Sequence, residues 1–262
     1  MNDMKPLFKK RAPAWDTLLA LLISAICIAA VSYYYLDPFW TEDGALTSLL
    51  EAVIPRFFIA VFLLVVTLQF SPEILSFRRI PLKNLLWCVP LLFVVLANFP
   101  FSALIGGTAR ITRIDLIGLF AVKCLLIGLG EELLFRGILF GFLNELFEKR
   151  KSPFLTVLLS SVLFALFHLV NLLDGAGILP VLQQIGYSFL IGAMLAVLLV
   201  QTENLWLCVI LHALFDFGGL IVSDLGAGSP HDTVFWILTI VFGVICAVHV
   251  VITLVKRCKR HT

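Results

Sequence analysis

Three ionisable residues lie together inside a long apolar stretch, in the segment Gly130-Glu131-Glu132-Leu133-Leu134-Phe135-Arg136-Gly137. A charged group at bilayer depth costs about 3 kcal/mol or more, so such groups persist mostly where they pair or take part in function. Glu132 and Arg136 are four residues apart on one helix face, which predicts an ion pair that supports the packing. Glu131 is turned about 100° from Glu132. It needs a partner of its own, and a carboxylate in that position suits a general base.

Histidines occur in two further apolar segments. His168 is an isolated imidazole on an otherwise apolar helix, where a structural role and a functional role both remain open. His212 and Asp216 are four residues apart on one face. This pair is either a hydrogen bond that locks two helices, or a ligand pair, or one ligand with its orienting carboxylate.

These groups come from three separate helices, and together they indicate hydrolysis inside the bilayer. Histidines and carboxylates are the ligand types that hold zinc while leaving a position open for water. A water that is bound to a metal or activated by a base is a nucleophile at neutral pH. Two alternatives therefore stay open: Zn²⁺ as a cofactor, or a metal-free mechanism in which a glutamate activates the water. The candidate metal ligands are Glu131, His168, His212 and Asp216.

The composition places the chain in a membrane. It has 262 residues, of which 61% are hydrophobic and 14% are charged, against about 25% charged residues in soluble domains. We expect an all-α, polytopic membrane helix bundle with lipid around it and no nucleic-acid partner. The six cysteines show no paired spacing, which is typical of small core residues rather than of disulfides or a zinc knuckle.

Apolar runs predict about eight transmembrane helices. The predicted spans are residues 15–35, 54–70, 85–105, 116–147, 153–173, 178–200, 205–222 and 234–255. Pro90 and Pro100 should kink the third span. The fourth is too long for a hydrocarbon core of about 30 Å. It should therefore tilt, break near Gly128-Leu129-Gly130 or continue into the cytosol.

The basic residues predict that both termini are cytosolic. Of the 19 Lys and Arg residues, 14 lie on the proposed inner side, while Arg56, Arg110 and Arg113 lie on the outer side. This bias follows the positive-inside rule. We divide the chain into helices 1–3 (residues 1–114), a catalytic core of helices 4–7 (115–222), and helix 8 with a basic tail (223–262). A bacterial plasma membrane is the expected location.

Three motifs resemble those of the CPBP intramembrane proteases, a family that groups CAAX prenyl endopeptidases with bacteriocin-processing and immunity (Abi) proteins. The motifs are Glu131-Glu132-x-x-x-Arg136, Phe164-x-x-x-His168 and His212-x-x-x-Asp216. Their order and rough spacing match over about residues 115–220. The resemblance implies an intramembrane endopeptidase that acts on a membrane-associated, prenylated or other peptide substrate. The non-catalytic alternative is a peptide-binding, immunity or regulatory protein of the same family.

The resemblance also implies a role for each matching residue. Glu131 would activate the attacking water with His168 as its partner, and Glu132 and Arg136 would shape the site. His212 and Asp216 would stabilise the oxyanion or help to hold a metal. The family admits Asn or Asp at this last position, and an ionised Asp only accepts hydrogen bonds. Asp216 therefore favours a metal-binding or orienting role. A transporter with a proton relay is a third reading, but the paired discontinuous helices it requires are not evident.

Overall fold

The computed structural model describes residues 14–33, 41–77, 79–147, 153–173 and 175–259. The longer helices in these ranges are α1 (Ala14–Tyr33), α2 (Gly44–Phe70), α6 (Ile117–Glu132), α8 (Phe154–Phe167), α9 (Ile178–Thr202), α10 (Leu205–Leu225) and α11 (Thr233–Lys259). The shorter helices are α3 (Leu82–Trp87), α4 (Val89–Ala97), α5 (Phe101–Gly106) and α7 (Phe140–Leu146). A π-helix (Leu133–Leu139) joins α6 to α7, and two short strands are β1 (Ala109–Ile111) and β2 (Gly226–Gly228).

The predicted helical membrane bundle is confirmed. Six helical segments in the described ranges are long and apolar enough to cross a membrane: Gly44–Phe70, Val89–Gly106, Phe154–Leu172, Ile178–Thr202, Leu205–Leu225 and Thr233–Cys258. Helix α1 contributes a shorter apolar stretch, Trp15–Ala30. The count of eight spans and the cytosolic termini stay predictions. Many of the basic residues behind that orientation lie outside the described residues, in 1–13, 148–152 and 260–262 and at Arg78.

Proline divides the third predicted span as expected. Helix α4 begins at Val89 with Pro90 in its first turn, and α5 follows directly after Pro100. Proline has no backbone N–H to donate, so it is tolerated at the start of a helix and interrupts one elsewhere. The span is therefore built from α3, α4 and α5 rather than from one straight helix.

Of the three alternatives for the fourth predicted span, a break near Gly128–Gly130 is not observed, and the α-helix changes only after its two glutamates. Helix α6 continues through both glycines to Glu132, and Leu133–Leu139 then form a π-helix. At its end the amide of Phe140 donates to the carbonyl of Phe135, five residues back. Such π segments insert an extra residue per turn and are frequent at functional sites. Gly128 serves close packing instead: a Cβ there would lie 3.1 Å from the backbone of α10.

Residues 106–115 and 223–232, which lie between predicted spans, meet in a small sheet. Strands β1 and β2 are antiparallel, with Ala109 opposite Gly228 and Ile111 opposite Gly226. A Cβ would lie 2.3 Å from the Arg110 carbonyl at Gly226 and 2.2 Å from the Thr108 carbonyl at Gly228. Only glycine fits this close pairing, which ties the start of α6 to the end of α10.

The larger hydrophobic core includes helices from all three predicted segments. It contains Leu21 of α1, Leu63 of α2, Leu133 of the π-helix, Met194 of α9 and Leu254 of α11. Helix α6 packs against α2 and α10, and α8 packs against α9. The segment boundaries stay predictions, but the helices of the expected catalytic core are packed within the same bundle as their neighbours.

An ion-pair cluster holds α2 to the turn that precedes α6. Arg113 Nη2 lies 2.7 Å from Asp43 Oδ2 and 2.8 Å from Asp115 Oδ2. Asp43 also caps α2, since Oδ1 accepts from the amides of Ala45 and Leu46. The Arg113 hydrogen bond and, after it, the Leu46 amide lower the pKa of Asp43 from 3.8 to about 2.

Replacing Asp43 with Asn is expected to lower the thermal stability at pH 6 but not near pH 2. The substitution keeps a capping oxygen but removes the charge that Arg113 meets. Because the folded-state pKa of Asp43 is the lower one, its ion pair stabilises the protein above about pH 4, and this stabilisation disappears as the pH falls towards 2. Circular dichroism melts in detergent at the two pH values test this. Glu42→Gln, at an exposed neighbour, is the control, and a pH-independent difference would contradict it.

Candidate active site

One cavity brings the four predicted catalytic residues together. It has a volume of about 680 Å³, and its lining includes Glu131, His168, His212 and Asp216. Glu131 is near the end of α6, His168 follows α8, and the other two lie on α10. The expectation that three helices deliver these groups to one place therefore describes the observed geometry, while the catalytic roles stay predictions.

His212 is the residue that links the two glutamates. Its Nδ1 lies 2.8 Å from Glu132 Oε1, so the ring donates to that carboxylate. Its Nε2 lies 3.7 Å from Glu131 Oε2. The imidazole is 4% exposed, and burial together with the Glu132 contact fixes its orientation in the cavity. Sequence reasoning placed Glu132 only against Arg136 and missed this second contact.

The predicted ion pair between Glu132 and Arg136 is present. Arg136 Nη1 donates to Glu132 Oε1 at 2.9 Å, and both side chains are 0% exposed. Arg136 Nη2 donates to the carbonyl of Gly192 on α9 at 3.0 Å, and the guanidinium carbon lies 4.5 Å from the centroid of the Phe164 ring. Glu132 Oε1 accepts from both Arg136 and His212. The ion pair therefore supports the packing of the helices and also fixes the orientation of the His212 ring.

His168 shares the cavity but has other neighbours than Glu131. Its Nδ1 lies 3.0 Å from the carbonyl of Phe164 in its own helix. Since a carbonyl only accepts, Nδ1 carries the proton and the neutral ring has its lone pair at Nε2. That Nε2 lies 3.5 Å from Ser188 Oγ on α9. Within the described residues no hydrogen bond or ion pair joins His168 to Glu131. The imidazole beside Glu131 is instead that of His212, whose Nε2 lies 3.7 Å from Glu131 Oε2.

Two carboxylate oxygens in the cavity have no hydrogen-bond partner among the described residues. They are Glu131 Oε2 and Asp216 Oδ2, both buried. Each lies 3.7 Å from His212 Nε2, which is beyond hydrogen-bond distance. Buried polar groups are almost always satisfied. Glu131 Oε2, Asp216 Oδ2 and His212 Nε2 are close enough together for one small polar molecule, such as water, to hydrogen-bond with all three.

The donor arrangement does not match the predicted zinc site. In the part of the chain that the structure describes, no group of three or more His, Cys, Asp or Glu side chains could hold a metal ion. The Nδ1 atoms of His212 and His168 are held by Glu132 and by the Phe164 carbonyl, so Nε2 is the remaining possible ligand atom of each ring. The zinc prediction therefore gains no support from the side-chain positions, and we derive no step through a metal.

Sequence reasoning missed one charged residue of the cavity. Arg56 was assigned to the outer side, but α2 begins at Gly44 and Arg56 lines the cavity with Glu131 and Asp216. The sequence does indicate this residue: Arg56 lies inside an apolar run, where a basic side chain is as costly as the carboxylate of Glu131 and usually has a function. By contrast, Lys123 of α6 forms an ion pair with Asp224 of α10.

Gly128 sets the distance between the helices that carry Glu131 and His212. A Cβ at this position would lie 3.1 Å from the backbone atoms Ala213 N and Val209 O, and 3.4 Å from the Cβ of His212. Small residues allow membrane helices to approach this closely. A larger side chain would move α10, and His212 with it, away from α6.

Gly128→Ala is therefore expected to destabilise the protein by about 1–3 kcal/mol, as overpacking does, and to reduce any activity of the site. Gly118→Ala is the matched control in the same helix, because nothing lies within 4 Å of its added Cβ. There the gain in helix propensity should stabilise by about 0.5–1 kcal/mol. Thermal unfolding of both variants in detergent measures the difference. Equal shifts would show that Gly128 does not control the packing.

The fold and the cavity together define a polytopic helical membrane protein with an internal site of histidines and carboxylates. Residues 113–218 match the family model described as type II CAAX prenyl endopeptidase Rce1-like. This match confirms the resemblance drawn from the three motifs. Searches of curated proteins and of solved structures returned no match.

Proposed function

We propose that this protein is an intramembrane endopeptidase that hydrolyses a peptide bond near the C-terminus of a prenylated CAAX-type substrate. The observation that carries the proposal is the convergence of Glu131 Oε2, Asp216 Oδ2 and His212 Nε2 in one cavity of a chain that matches the CAAX endopeptidase model. The cavity walls are largely apolar and include Leu126, Ile127 and Phe167, which suits a lipid-modified peptide.

In the proposed mechanism, Glu131 activates the water. Its unpartnered Oε2 accepts a proton as the water oxygen attacks the scissile carbonyl carbon. The same carboxyl then gives that proton to the leaving amine nitrogen when the C–N bond breaks, so the carboxylate is regenerated. His168 Nε2, with its lone pair in the cavity, is the second acceptor that holds the attacking water.

His212 is proposed to stabilise the oxyanion. Glu132 accepts from Nδ1 at 2.8 Å, which turns Nε2 into the cavity, where the N–H of the doubly protonated ring is the proposed donor to the oxyanion. A fixed donor aimed at the developing oxyanion is worth about 2.7–4 kcal/mol in other hydrolases. Asp216 Oδ2 lies 3.7 Å from Nε2, and because a carboxylate only accepts hydrogen bonds, Asp216 does not donate to the oxyanion itself.

The direct test is turnover by the purified protein in lipid nanodiscs. The probe is a farnesylated peptide that ends in Cys-Val-Ile-Met with a free carboxylate, and mass spectrometry identifies the products. We expect release of the C-terminal tripeptide. Binding without any cleavage by the wild type would instead favour a peptide-binding or immunity role. Metal analysis of the same preparation, with and without chelator, tests the zinc alternative.

A further inference from the structure

Arg56 is a cation inside an apolar candidate span. It lies 12 residues after the start of α2, which is about 18 Å along a straight helix. The hydrocarbon core is about 30 Å thick, so this position is far from either end of the span. Arginine at such depth usually meets an anion or a water-filled cavity.

No acid of the described residues lies within ion-pair distance of Arg56. Its Nη1 donates a hydrogen bond to the carbonyl of Ala52, one turn earlier in α2, at 3.0 Å. Three other basic residues of the described chain do pair with acids: Lys123 with Asp224, Arg136 with Glu132, and Arg113 with Asp43 and Asp115. Arg56 instead lines the cavity, and its remaining N–H donors suit an anionic group of a ligand.

The spacing along α2 indicates how far this cation is from the catalytic glutamate. Leu63 of α2 faces Gly130 of α6, since a Cβ at Gly130 would lie 3.8 Å from Leu63 Cδ1. Leu63 therefore marks the level of the neighbouring Glu131. Arg56 is seven residues, or about 10 Å, before Leu63 on the same face of α2. An extended peptide covers about 3.3–3.6 Å per residue, so about three residues bridge the two levels.

We propose that Arg56 binds the C-terminal α-carboxylate of the substrate, about three residues beyond the scissile bond. This inference rests on the proposed endopeptidase function and adds a specificity determinant to it. A guanidinium matches a carboxylate with two parallel N–H···O bonds. The enzyme would thereby distinguish a free C-terminus from an internal segment of similar apolar sequence.

The test compares two farnesylated peptides of the same sequence, one with a free C-terminal carboxylate and one with a C-terminal amide. Wild-type protein should cleave the acid at least about tenfold faster in kcat/KM, mainly through KM, because a charge-assisted hydrogen bond is lost in the amide. Arg56→Gln should cleave both peptides at the rate of the amide. Arg110→Gln, at an exposed arginine of β1, should behave as wild type.

Two outcomes of the turnover assay would overturn the subsite. The wild type cleaving both peptides equally would show that the carboxylate is not recognised. Arg56→Gln slowing both peptides by the same factor would assign Arg56 to the positioning of Glu131 instead.

A binding measurement separates this inference from the endopeptidase proposal. The probes are the tripeptides Val-Ile-Met with a free carboxylate and with a C-terminal amide, titrated against wild type and Arg56→Gln in nanodiscs. Tighter binding of the acid that disappears in Arg56→Gln supports the subsite even if nothing is cleaved. Cleavage of the farnesylated peptides with no preference for the acid in either assay would keep the function and reject the subsite.

Discussion

Replacing Glu131 with Gln is expected to reduce kcat for the farnesylated peptide by about 10³-fold, the middle of the range for a general base. Glutamine keeps the size of the side chain but cannot take a proton from water. The unfolding temperature should stay at or slightly above the wild-type value. The reason is that Glu131 has no ion-pair partner among the described residues closer than His212 Nε2, at 3.7 Å, and catalytic groups often reduce stability.

The measurement is single-turnover cleavage in nanodiscs, with thermal unfolding of the same samples. Glu42→Gln, the same chemical change at an exposed residue before α2, should cleave at the wild-type rate. Glu132→Gln should lower both activity and stability, because Glu132 holds His212 and Arg136. An active Glu131→Gln variant would remove Glu131 from the role of general base and with it the proposed mechanism.

The sequence predicted the helices and the cavity residues because their signals are local or chemically rare. Charged residues are expensive in a membrane, so Glu131, His168, His212 and Asp216 were visible without any knowledge of packing. The kinks at Pro90 and Pro100 followed from the missing proline N–H. The Glu132–Arg136 pair followed from helix periodicity alone.

What the sequence could not predict depends on contacts between helices. Whether Glu131 meets His168 or His212 is decided by the Phe164 carbonyl, which holds His168 Nδ1 and turns Nε2 towards Ser188. The pairing of β1 with β2 joins residues more than 100 positions apart. Gly128 looked like a helix breaker in isolation, but its missing side chain lets α6 approach α10.

Replacing Arg136 with Met is expected to destabilise the protein by about 3–5 kcal/mol, the cost of breaking a buried ion pair from one side. Glu132 would keep its charge with only His212 to meet it, and α9 would lose the donor to the Gly192 carbonyl. Unfolding can be followed with a thiol-reactive dye, because Cys88, Cys124, Cys208 and Cys246 are buried in the folded protein. Arg110→Met, at an exposed residue of β1, should change the stability by no more than about 0.5 kcal/mol.

The double variant Glu132→Gln with Arg136→Met distinguishes an ion pair from simple loss of packing. Removing both charges leaves no unpaired ion in the core, so the double variant should be less destabilised than the sum of the two single variants. It should nevertheless have little activity, because the carboxylate that receives His212 Nδ1–H is gone. Stability that recovers without activity would show that one oxygen of Glu132 serves both the fold and the site. Additive losses of stability would instead mean that Arg136 acts through its packing on Phe164.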